Sequence, residues 1–394
     1  MRNNSAHGMF PDANHDEQSL QSYIKTLRVH VATHFHSGNK RILADKIEPS
    51  LRKINGNRPP SRKQMREAFL KEPHHQWYGA MLRTTQEMLY DSVGPSIERQ
   101  LPELVRKAKS LRGKLGSLTL DGTIKMPAYL AAVDMHCKPG SYQQELMPDD
   151  VFPGAEFDRT FRLYTMGGMG PNLDDQAWTL MGCLRKRYPA LKPKRILDIG
   201  CTVGHSTLPY AEAFGDDVEV HAIDVAAPCL RYGHARAVAM NRVVHFSQQN
   251  AEHTNFPDEH FDLIVSHSVM HETSTKAIRA IYRECHRLLA PGGVTMHLDG
   301  ITPHDAYEKY YSEWMAHNNN EPFIGTVQDE DFAEICTQAG FAPDHTHIDF
   351  TPPNFRLHKD DASAVQIYIA VSARKPLKAK RPPDAVSRRL RARR

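Results

Sequence analysis

The sequence predicts an α/β protein in which a helical N-terminal domain precedes a doubly wound, mostly parallel sheet. From residue 193 onward, short apolar runs of the kind that form buried parallel strands alternate with helical patterns. Before that point, residues 18–112 repeat apolar side chains at three- and four-residue steps, as amphipathic helices do. The two periodicities therefore place helices first and the sheet second.

These patterns divide the chain into four segments. Residues 1–17 are polar and rich in turn formers, which predicts a disordered N-terminus. Residues 18–150 are assigned to the helical domain and a linker, and residues 151–373 to the sheet domain. Residues 374–394 hold ten Lys or Arg against one Asp and have no hydrophobic pattern, so a disordered basic tail is predicted. Within the linker, Asp134, His136 and Tyr142 are open to two interpretations, as site residues or as ordinary linker residues.

The composition excludes several classes of protein. No apolar run approaches the roughly 20 residues of a membrane span, and the N-terminus lacks the apolar core of a signal peptide. We therefore expect a cytoplasmic protein. The six cysteines form no Cys-x-x-Cys pair, so neither a zinc site nor a disulfide framework is indicated.

The central strand is expected at 196–199, where a short apolar run ends in a glycine turn. Gly200 and Gly204 follow the run, and a helical pattern covers 206–214. A strand, a tight turn and a helix in this order place a ligand at the carboxyl end of the strand. The dinucleotide fingerprint Gly-x-Gly-x-x-Gly fails, because Thr202 and His205 occupy its second and third glycine positions. A phosphate loop fails as well, because it requires a lysine that this turn lacks.

The remaining strands follow at regular intervals. They are expected at 218–223, 243–246, 261–265 and 294–298, with a last strand at 365–372. Helical patterns connect them at 228–241 and 278–289, and further helices are expected at 175–187 and 329–340. Asp224 comes directly after the second strand, where one carboxylate is placed to accept hydrogen bonds from two ribose hydroxyls.

The pattern Asp198-x-Gly-x-x-x-Gly204 resembles motif I of the class I S-adenosylmethionine-dependent methyltransferases, with Thr202 in place of the middle glycine. Three further stretches are similar to motifs of that family and come in the right order: the strand that ends at Asp224, the stretch 250–252, and the turn 291–293. The resemblance implies a seven-stranded Rossmann-like sheet with S-adenosylmethionine as the methyl donor. The donor-binding residues that it implies are Tyr164, Asp198, Gly200, Cys201, Thr202, Gly204, Asp224, Val225, Asn250, Ala251 and Ser266.

The resemblance also suggests where an acceptor would bind. In the family, the region between the fifth strand and the next helix often covers the substrate, so residues 300–325 are expected to form such an insertion. The acceptor contacts expected on this basis are Tyr142, His304, Tyr307, Tyr310 and Trp314.

The resemblance places acceptor-binding residues just after the fourth strand, so the catalytic residues are expected there. A base is required where the acceptor must lose a proton, as a hydroxyl usually must, and histidine suits that role near pH 7. His271, beside Glu272, is the first candidate, and His267 lies one helical turn away. The two histidines and Glu272 could also bind a metal, but without a further placed ligand no metal is predicted.

These observations favour an enzyme that methylates a small molecule, most simply at oxygen. Nitrogen or sulfur acceptors stay open. So do a non-catalytic adenosylmethionine-binding scaffold and a nucleic-acid methyltransferase guided by the basic tail. The chain lacks Asp/Asn-Pro-Pro-Tyr after the fourth strand, and its single Pro-Cys pair, at 228–229, follows the second strand, so nucleic-acid acceptors are disfavoured. The helical domain is a possible homodimer interface.

Overall fold

One eight-stranded sheet organises the protein, whose computed structural model describes residues 7–165, 168–300, 305–353 and 368–377. The strands lie in the order β1-β4-β3-β2-β5-β6-β8-β7; β8 pairs antiparallel with both β6 and β7, and the other pairs are parallel. This confirms the predicted doubly wound, mostly parallel sheet. The strands are β1 (Ser117–Thr119), β2 (Arg195–Ile199), β3 (Glu219–Asp224), β4 (His245–Gln248), β5 (Phe261–His267), β6 (Leu289–Asp299), β7 (Thr346–Thr351) and β8 (Tyr368–Arg374).

Helices cover both faces of the sheet. Alternate residues of β2 point to opposite layers: Ile196 packs in one apolar cluster, and Leu197 and Ile199 in the other. The helices that flank the strands are α8 (Phe152–Tyr164), α9 (Asp175–Arg187), α10 (Leu208–Phe214), α11 (Ala227–Ala239), α12 (Thr275–Leu288), α13 (Ala306–Asn318), α14 (Ile324–Val327) and α15 (Phe332–Ala339).

The strand β1 is one more than the seven that the resemblance implies. It comes from the segment predicted as a linker and pairs in parallel with the edge of β4. Gly116, just before it, has φ +59°, and a Cβ at this position would lie 2.1 Å from the carbonyl oxygen of Val244. Only glycine allows this approach of the two backbones. With three residues and one apolar side chain, β1 has too little pattern to predict a strand from sequence.

The N-terminal helices pack directly onto the sheet domain. Val93, Leu104 and Val105 share one buried apolar cluster with Cys229 and Tyr232 of α11. The helices concerned are α1 (His15–His30), α2 (His36–Ile42), α3 (Glu48–Asn55), α4 (Arg62–Phe69), α5 (Pro73–Glu98), α6 (Leu101–Leu111) and the short α7 (Ala128–Ala131), with π-helical turns at Val31–Phe35 and Leu43–Ile47.

Residues 7–17 differ from the prediction of a disordered N-terminus. Asn14 and Glu17 form a capping box that begins α1 at His15. His7 is buried and its Nε2 lies 2.9 Å from the carboxylate of Asp158, while Met9 is fully buried. His7 and the helix cap at Asn14 thus order this segment, which the local composition did not indicate. At the other end, β8 runs to Arg374, so the tail predicted from residue 374 begins within the sheet, and residues 378–394 lie outside the described residues.

Candidate functional site

A cavity of about 390 Å³ lies at the carboxyl edge of the parallel strands. Its floor is formed by the residues that follow β2, β3 and β5, and its roof by α8 and by residues 126–143. This is the position at which open α/β sheets bind ligands. The cavity brings together most of the residues predicted for the methyl donor: Tyr164, Asp198, Gly200, Cys201, Thr202, Asp224, Val225, Asn250 and Ala251.

The turn after β2 is held close to the neighbouring strand. The backbone N–H groups of Gly200 and Cys201 both donate to the carbonyl oxygen of Ile223, at 2.8 and 3.0 Å. Gly200 has φ +70°, and a Cβ there would lie 2.6 Å from Val269, so glycine is required. Thr202, which replaces the middle glycine of the motif, also has a positive φ, +47°. Thr202 therefore holds a left-handed backbone conformation of the kind that glycine favours.

Asp224 ends β3 at the wall of the cavity. Its carboxylate accepts the backbone N–H of Thr202 and of Ala226, each at 2.9 Å, one on each oxygen. A carboxylate oxygen can accept two hydrogen bonds, so each oxygen keeps one acceptor position for a ligand. Burial raises the pKa of Asp224, and these backbone donors oppose the rise.

Asn250 lies beyond β4, on the same edge of the sheet. Its Oδ1 accepts the backbone N–H of Glu252 at 2.9 Å. One acceptor position of the amide oxygen is thus used to fix the side chain, and the second is free for a ligand donor. Together with Asp224, this side chain places two acceptor groups where the sugar and base of a nucleoside would lie in the predicted donor site.

The predicted catalytic pair, His271 and Glu272, lies in a short 3₁₀ turn after β5 and also lines the cavity. Nδ1 of His271 lies 2.6 Å from Oδ1 of Asp299 at the end of β6, and the backbone N–H of His271 also donates to that carboxylate. Nδ1 therefore carries a proton and donates it in a hydrogen bond to Asp299. Nε2 is left as the nitrogen that can exchange a proton with a ligand.

The charges around His271 set its proton affinity. Burial by itself lowers the pKa of His271, but the carboxylate of Asp299, with smaller contributions from Glu272 and Glu321, raises it to about 9. His271 is thus a strong base that is mostly protonated at neutral pH.

The second imidazole of the site comes from the N-terminal half of the chain. His136 lies between Glu272, at 2.6 Å from its Nε2, and Glu321, at 3.0 Å from its Nδ1. Burial lowers the pKa of His136, but these two carboxylates raise it well above its ordinary value. The site therefore holds two imidazoles, each paired with carboxylates.

His267 is buried and lines the cavity. Its Nε2 lies 3.1 Å from the hydroxyl of Tyr210, and its Nδ1 lies 3.5 Å from Asp198. That Nδ1 makes no hydrogen bond among the described residues, so a role of His267 as a base stays a prediction. Two residues predicted for the donor are outside the wall: Ser266 is buried with its Oγ 2.7 Å from His297, and Gly204 lies in the turn below the cavity.

Of the predicted acceptor contacts, Tyr142 lines the cavity and three others do not. Tyr307, Tyr310 and Trp314 lie on α13 and pack in a buried cluster against the N-terminal helices. The hydroxyl of Tyr310 lies 2.6 Å from Nε2 of His75, and the rings of His75 and Trp314 are 4.1 Å apart. These aromatic side chains join α13 to the N-terminal helices instead of covering an acceptor. His304 lies outside the described residues.

Trp314 gives a direct test of this packing. We expect Trp314→Ala to lower the free energy of unfolding by about 3–5 kcal/mol, as large-to-small changes in a core do. The matched control is Trp77→Ala, because the side chain of Trp77 on α5 is 65% exposed; its effect should stay within about 0.5 kcal/mol. Urea denaturation followed by circular dichroism measures both. Equal effects of the two substitutions would show that Trp314 is not a core residue.

Neither Asp299 nor Glu321 is among the residues predicted individually from the sequence, although Glu321 falls within the predicted insertion at 300–325. Asp299 follows the fifth predicted strand, and the argument that selected Asp224 applies to it equally, because β5 and β6 are parallel neighbours whose carboxyl ends meet. Glu321 lies in an irregular connection after α13, where no local pattern marks it. His136 was left open, and the structure places it in the cavity wall.

Comparison with known proteins agrees with this geometry. A family described as a methyltransferase domain matches residues 196–293. These residues run from β2 to the first residues of β6 and include the loops after β2, β3 and β5. This part of the chain is therefore similar to a methyltransferase domain. The donor for such a domain is S-adenosylmethionine. The match covers about a quarter of the chain, and the N-terminal helices lie outside it.

Curated relatives of the methyltransferase domain act on different acceptors. The chain is 29% identical over 152 residues to phosphoethanolamine N-methyltransferase 1 of Arabidopsis thaliana, covering 38% of this chain and 29% of that protein. It is 32% identical over 129 residues to the ubiquinone/menaquinone biosynthesis C-methyltransferase UbiE of Vibrio campbellii, covering 32% of this chain and 48% of that protein. The chain thus spans less than half the length of these relatives.

A solved structure with a similar arrangement is that of Haemonchus contortus phosphoethanolamine N-methyltransferase 2 in complex with S-adenosyl-L-methionine. It is 17% identical, with a TM-score of 0.41 over 56% of this chain and 57% of that one. Among the described residues of this protein, no helix has the length and apolar character to cross a membrane.

Proposed function

We propose that the protein transfers the methyl group of S-adenosylmethionine to a hydroxyl oxygen of a small molecule. The observation that carries this proposal is the contact of 2.6 Å between Nδ1 of His271 and Asp299 at the wall of the cavity. A paired imidazole with Nε2 available suits an acceptor that must lose a proton, and a hydroxyl is the commonest such acceptor. Small-molecule acceptors also suit a cavity of about 390 Å³.

The residues present fit the donor. Asp224 offers the ribose one acceptor position on each oxygen, and Asn250 offers one to the base. The turn at Gly200 and Thr202 brings bare backbone to the cavity, and Tyr164 covers it from α8. When bound, S-adenosylmethionine supplies an activated methyl group on a positively charged sulfur.

In this proposal, the side chains of the chain position the acceptor and accept its proton. Nε2 of His271 takes the proton as the hydroxyl oxygen attacks the methyl carbon; an O–C bond forms and the C–S bond breaks, with its electron pair left on sulfur. Asp299 stabilises the imidazolium that results and fixes the ring orientation. Tyr142 and Tyr164 exclude water from the opposite wall. Positioning of two reactants in attack geometry supplies much of the remaining acceleration.

The pKa of His271 predicts a pH dependence. Because the base must be deprotonated and its pKa is about 9, kcat/KM should rise about tenfold per pH unit from pH 6 to pH 8 and level off near pH 9. Asp299→Asn removes the main cause of the raised pKa, so the rise should move to lower pH. Initial rates over pH 6–10 test this. A profile that is flat across that range, or one that Asp299→Asn does not move, would contradict the assignment of His271 as the base.

The acceptor type is tested by transfer from donor labelled with deuterium in its methyl group. The full chain is incubated with the labelled donor and a matched panel of phenols, alcohols, amines and thiols, and products are identified by mass spectrometry. We expect labelled ethers from hydroxyl acceptors together with S-adenosylhomocysteine. Transfer to amines or thiols alone would overturn the oxygen assignment, and binding of the donor without any transfer would support a scaffold instead.

A further inference from the structure

The conformation of His136 is unusual for a residue that is not glycine. It lies in the 3₁₀ turn Met135–Cys137 with φ +56°, and Cys137 beside it has φ +59°. Left-handed backbone at such residues is unfavourable, and it persists where the surrounding structure holds it. Here Gln86 donates from its Nε2 to the carbonyl oxygen of His136 at 2.8 Å, and Lys138 forms a buried ion pair of 2.5 Å with Glu156 on α8. The turn is thus fixed from two sides.

This backbone places the ring of His136 between two carboxylates. Nε2 lies 2.6 Å from Oε1 of Glu272, and Nδ1 lies 3.0 Å from Oε1 of Glu321. Both nitrogens must donate to satisfy both contacts, so the ring is an imidazolium. His136 therefore acts as a fixed cation that holds Glu272 by a charge-assisted hydrogen bond.

Glu272 lies next to His271 and could compete with the acceptor. Its Oε1 lies 3.8 Å from Nε2 of His271, which is beyond hydrogen-bond distance. A small rotation of Glu272 would close that gap. His271 would then be an imidazolium held between Asp299 and Glu272, with no nitrogen left to take a proton.

We infer that His136 is a positioning residue, which holds Glu272 away from His271 so that Nε2 of His271 stays open to the acceptor. This inference rests on the proposed function, because it assigns His136 a role in the same site. The N-terminal segment thereby supplies a residue on which the chemistry of the methyltransferase domain depends.

The test must distinguish a new hydrogen bond from Glu272 to His271 from the direct electrostatic effect of removing the charge of His136. We choose His136→Asn, because asparagine tolerates left-handed backbone but is too short to bridge both carboxylates. It is combined with Glu272→Gln, which removes the carboxylate that would capture His271. Other titratable or charged groups face this cluster from neighbouring elements, and all are left unchanged: Arg28, Tyr90, Cys137, Tyr142, Tyr164, Asp299 and Glu321.

The first readout is the pKa of His271, measured by NMR on protein labelled with ¹³C-histidine and assigned with the His271→Asn variant. We expect His136→Asn to raise this pKa by about one unit when Glu272 is present, and by much less in the Glu272→Gln background. A direct charge effect would instead raise it equally in both backgrounds, and that outcome would overturn the inference. An unchanged pKa in both would overturn it as well.

The second readout is turnover at pH 7.5. We expect His136→Asn to lower kcat about tenfold, as one pKa unit at the base implies, and His136→Asn with Glu272→Gln to regain most of it. Binding of S-adenosylhomocysteine should stay unchanged in every variant, which shows that each is folded. A double variant that is no better than His136→Asn would contradict the inference. If neither the parent protein nor any variant transfers methyl groups to hydroxyls, the proposed function fails. The NMR comparison then still decides whether His136 holds Glu272.

Discussion

His271→Asn is expected to lower kcat by about 10²–10⁴-fold at pH 8, the range that one positioned general base contributes. The amide nitrogen of asparagine can still donate to Asp299, so the local structure is kept while the atom that accepts the acceptor's proton is lost. Binding of S-adenosylhomocysteine should not change, because the residues proposed to hold the donor lie on or after β2, β3 and β4.

The acidity of the acceptor sharpens this prediction. A hydroxyl that is already ionised at the working pH needs no base, so the loss caused by His271→Asn should shrink steadily as more acidic phenols are used. The control is His15→Asn, because the side chain of His15 is almost fully exposed and is not part of the cavity lining. A loss smaller than about threefold, or one independent of acceptor acidity, would mean that His271 is not the base.

Asp224→Ala is expected to weaken binding of the donor by about 10²–10⁴-fold. The substitution removes a charged acceptor of two hydroxyl hydrogen bonds, each worth about 1.5–3 kcal/mol when made, and it leaves the N–H groups of Thr202 and Ala226 without their acceptor. Asp224→Asn should lose less, because the amide keeps one acceptor oxygen.

The matched control for Asp224 lies on the same strand. Glu219 is the exposed first residue of β3, so Glu219→Ala tests a lost carboxylate away from the cavity. Calorimetry with S-adenosylhomocysteine, with thermal unfolding as the check of folding, measures all three variants. Equal affinities for Asp224→Ala and Glu219→Ala would show that Asp224 does not bind the ribose.

The parts of the site that the sequence predicted are those that follow directly from a strand. Asp198 and Gly200 were placed by the resemblance of their turn to motif I of the family. Asp224 was placed because it ends an apolar strand, and the carboxyl ends of parallel strands meet at one edge of the sheet. His271 was placed by the resemblance, because it comes just after the fourth predicted strand.

The parts of the site that the sequence left open or did not indicate depend on contacts between distant segments. Glu321 and His136 are 185 residues apart in number and have no periodic pattern, yet they meet at 3.0 Å. The aromatic residues of α13 were predicted to contact an acceptor, although their spacing indicates a buried helix face. Tyr307, Tyr310 and Trp314 recur at three- and four-residue steps, which is the stripe of a helix that packs in a core. Their bulk suggested a binding surface, but their spacing indicated a buried face.

The most direct test of the central claim is a calorimetric titration of the full chain with S-adenosylhomocysteine, the product that the donor leaves. The geometry of Asp224, Asn250 and the turn at Gly200 predicts one site per chain with affinity in the micromolar range, and binding weaker by about 100-fold or more for Asp224→Ala. No binding by the folded protein at millimolar ligand, or equal binding by Asp224→Ala, would contradict the assignment of this cavity as the donor site.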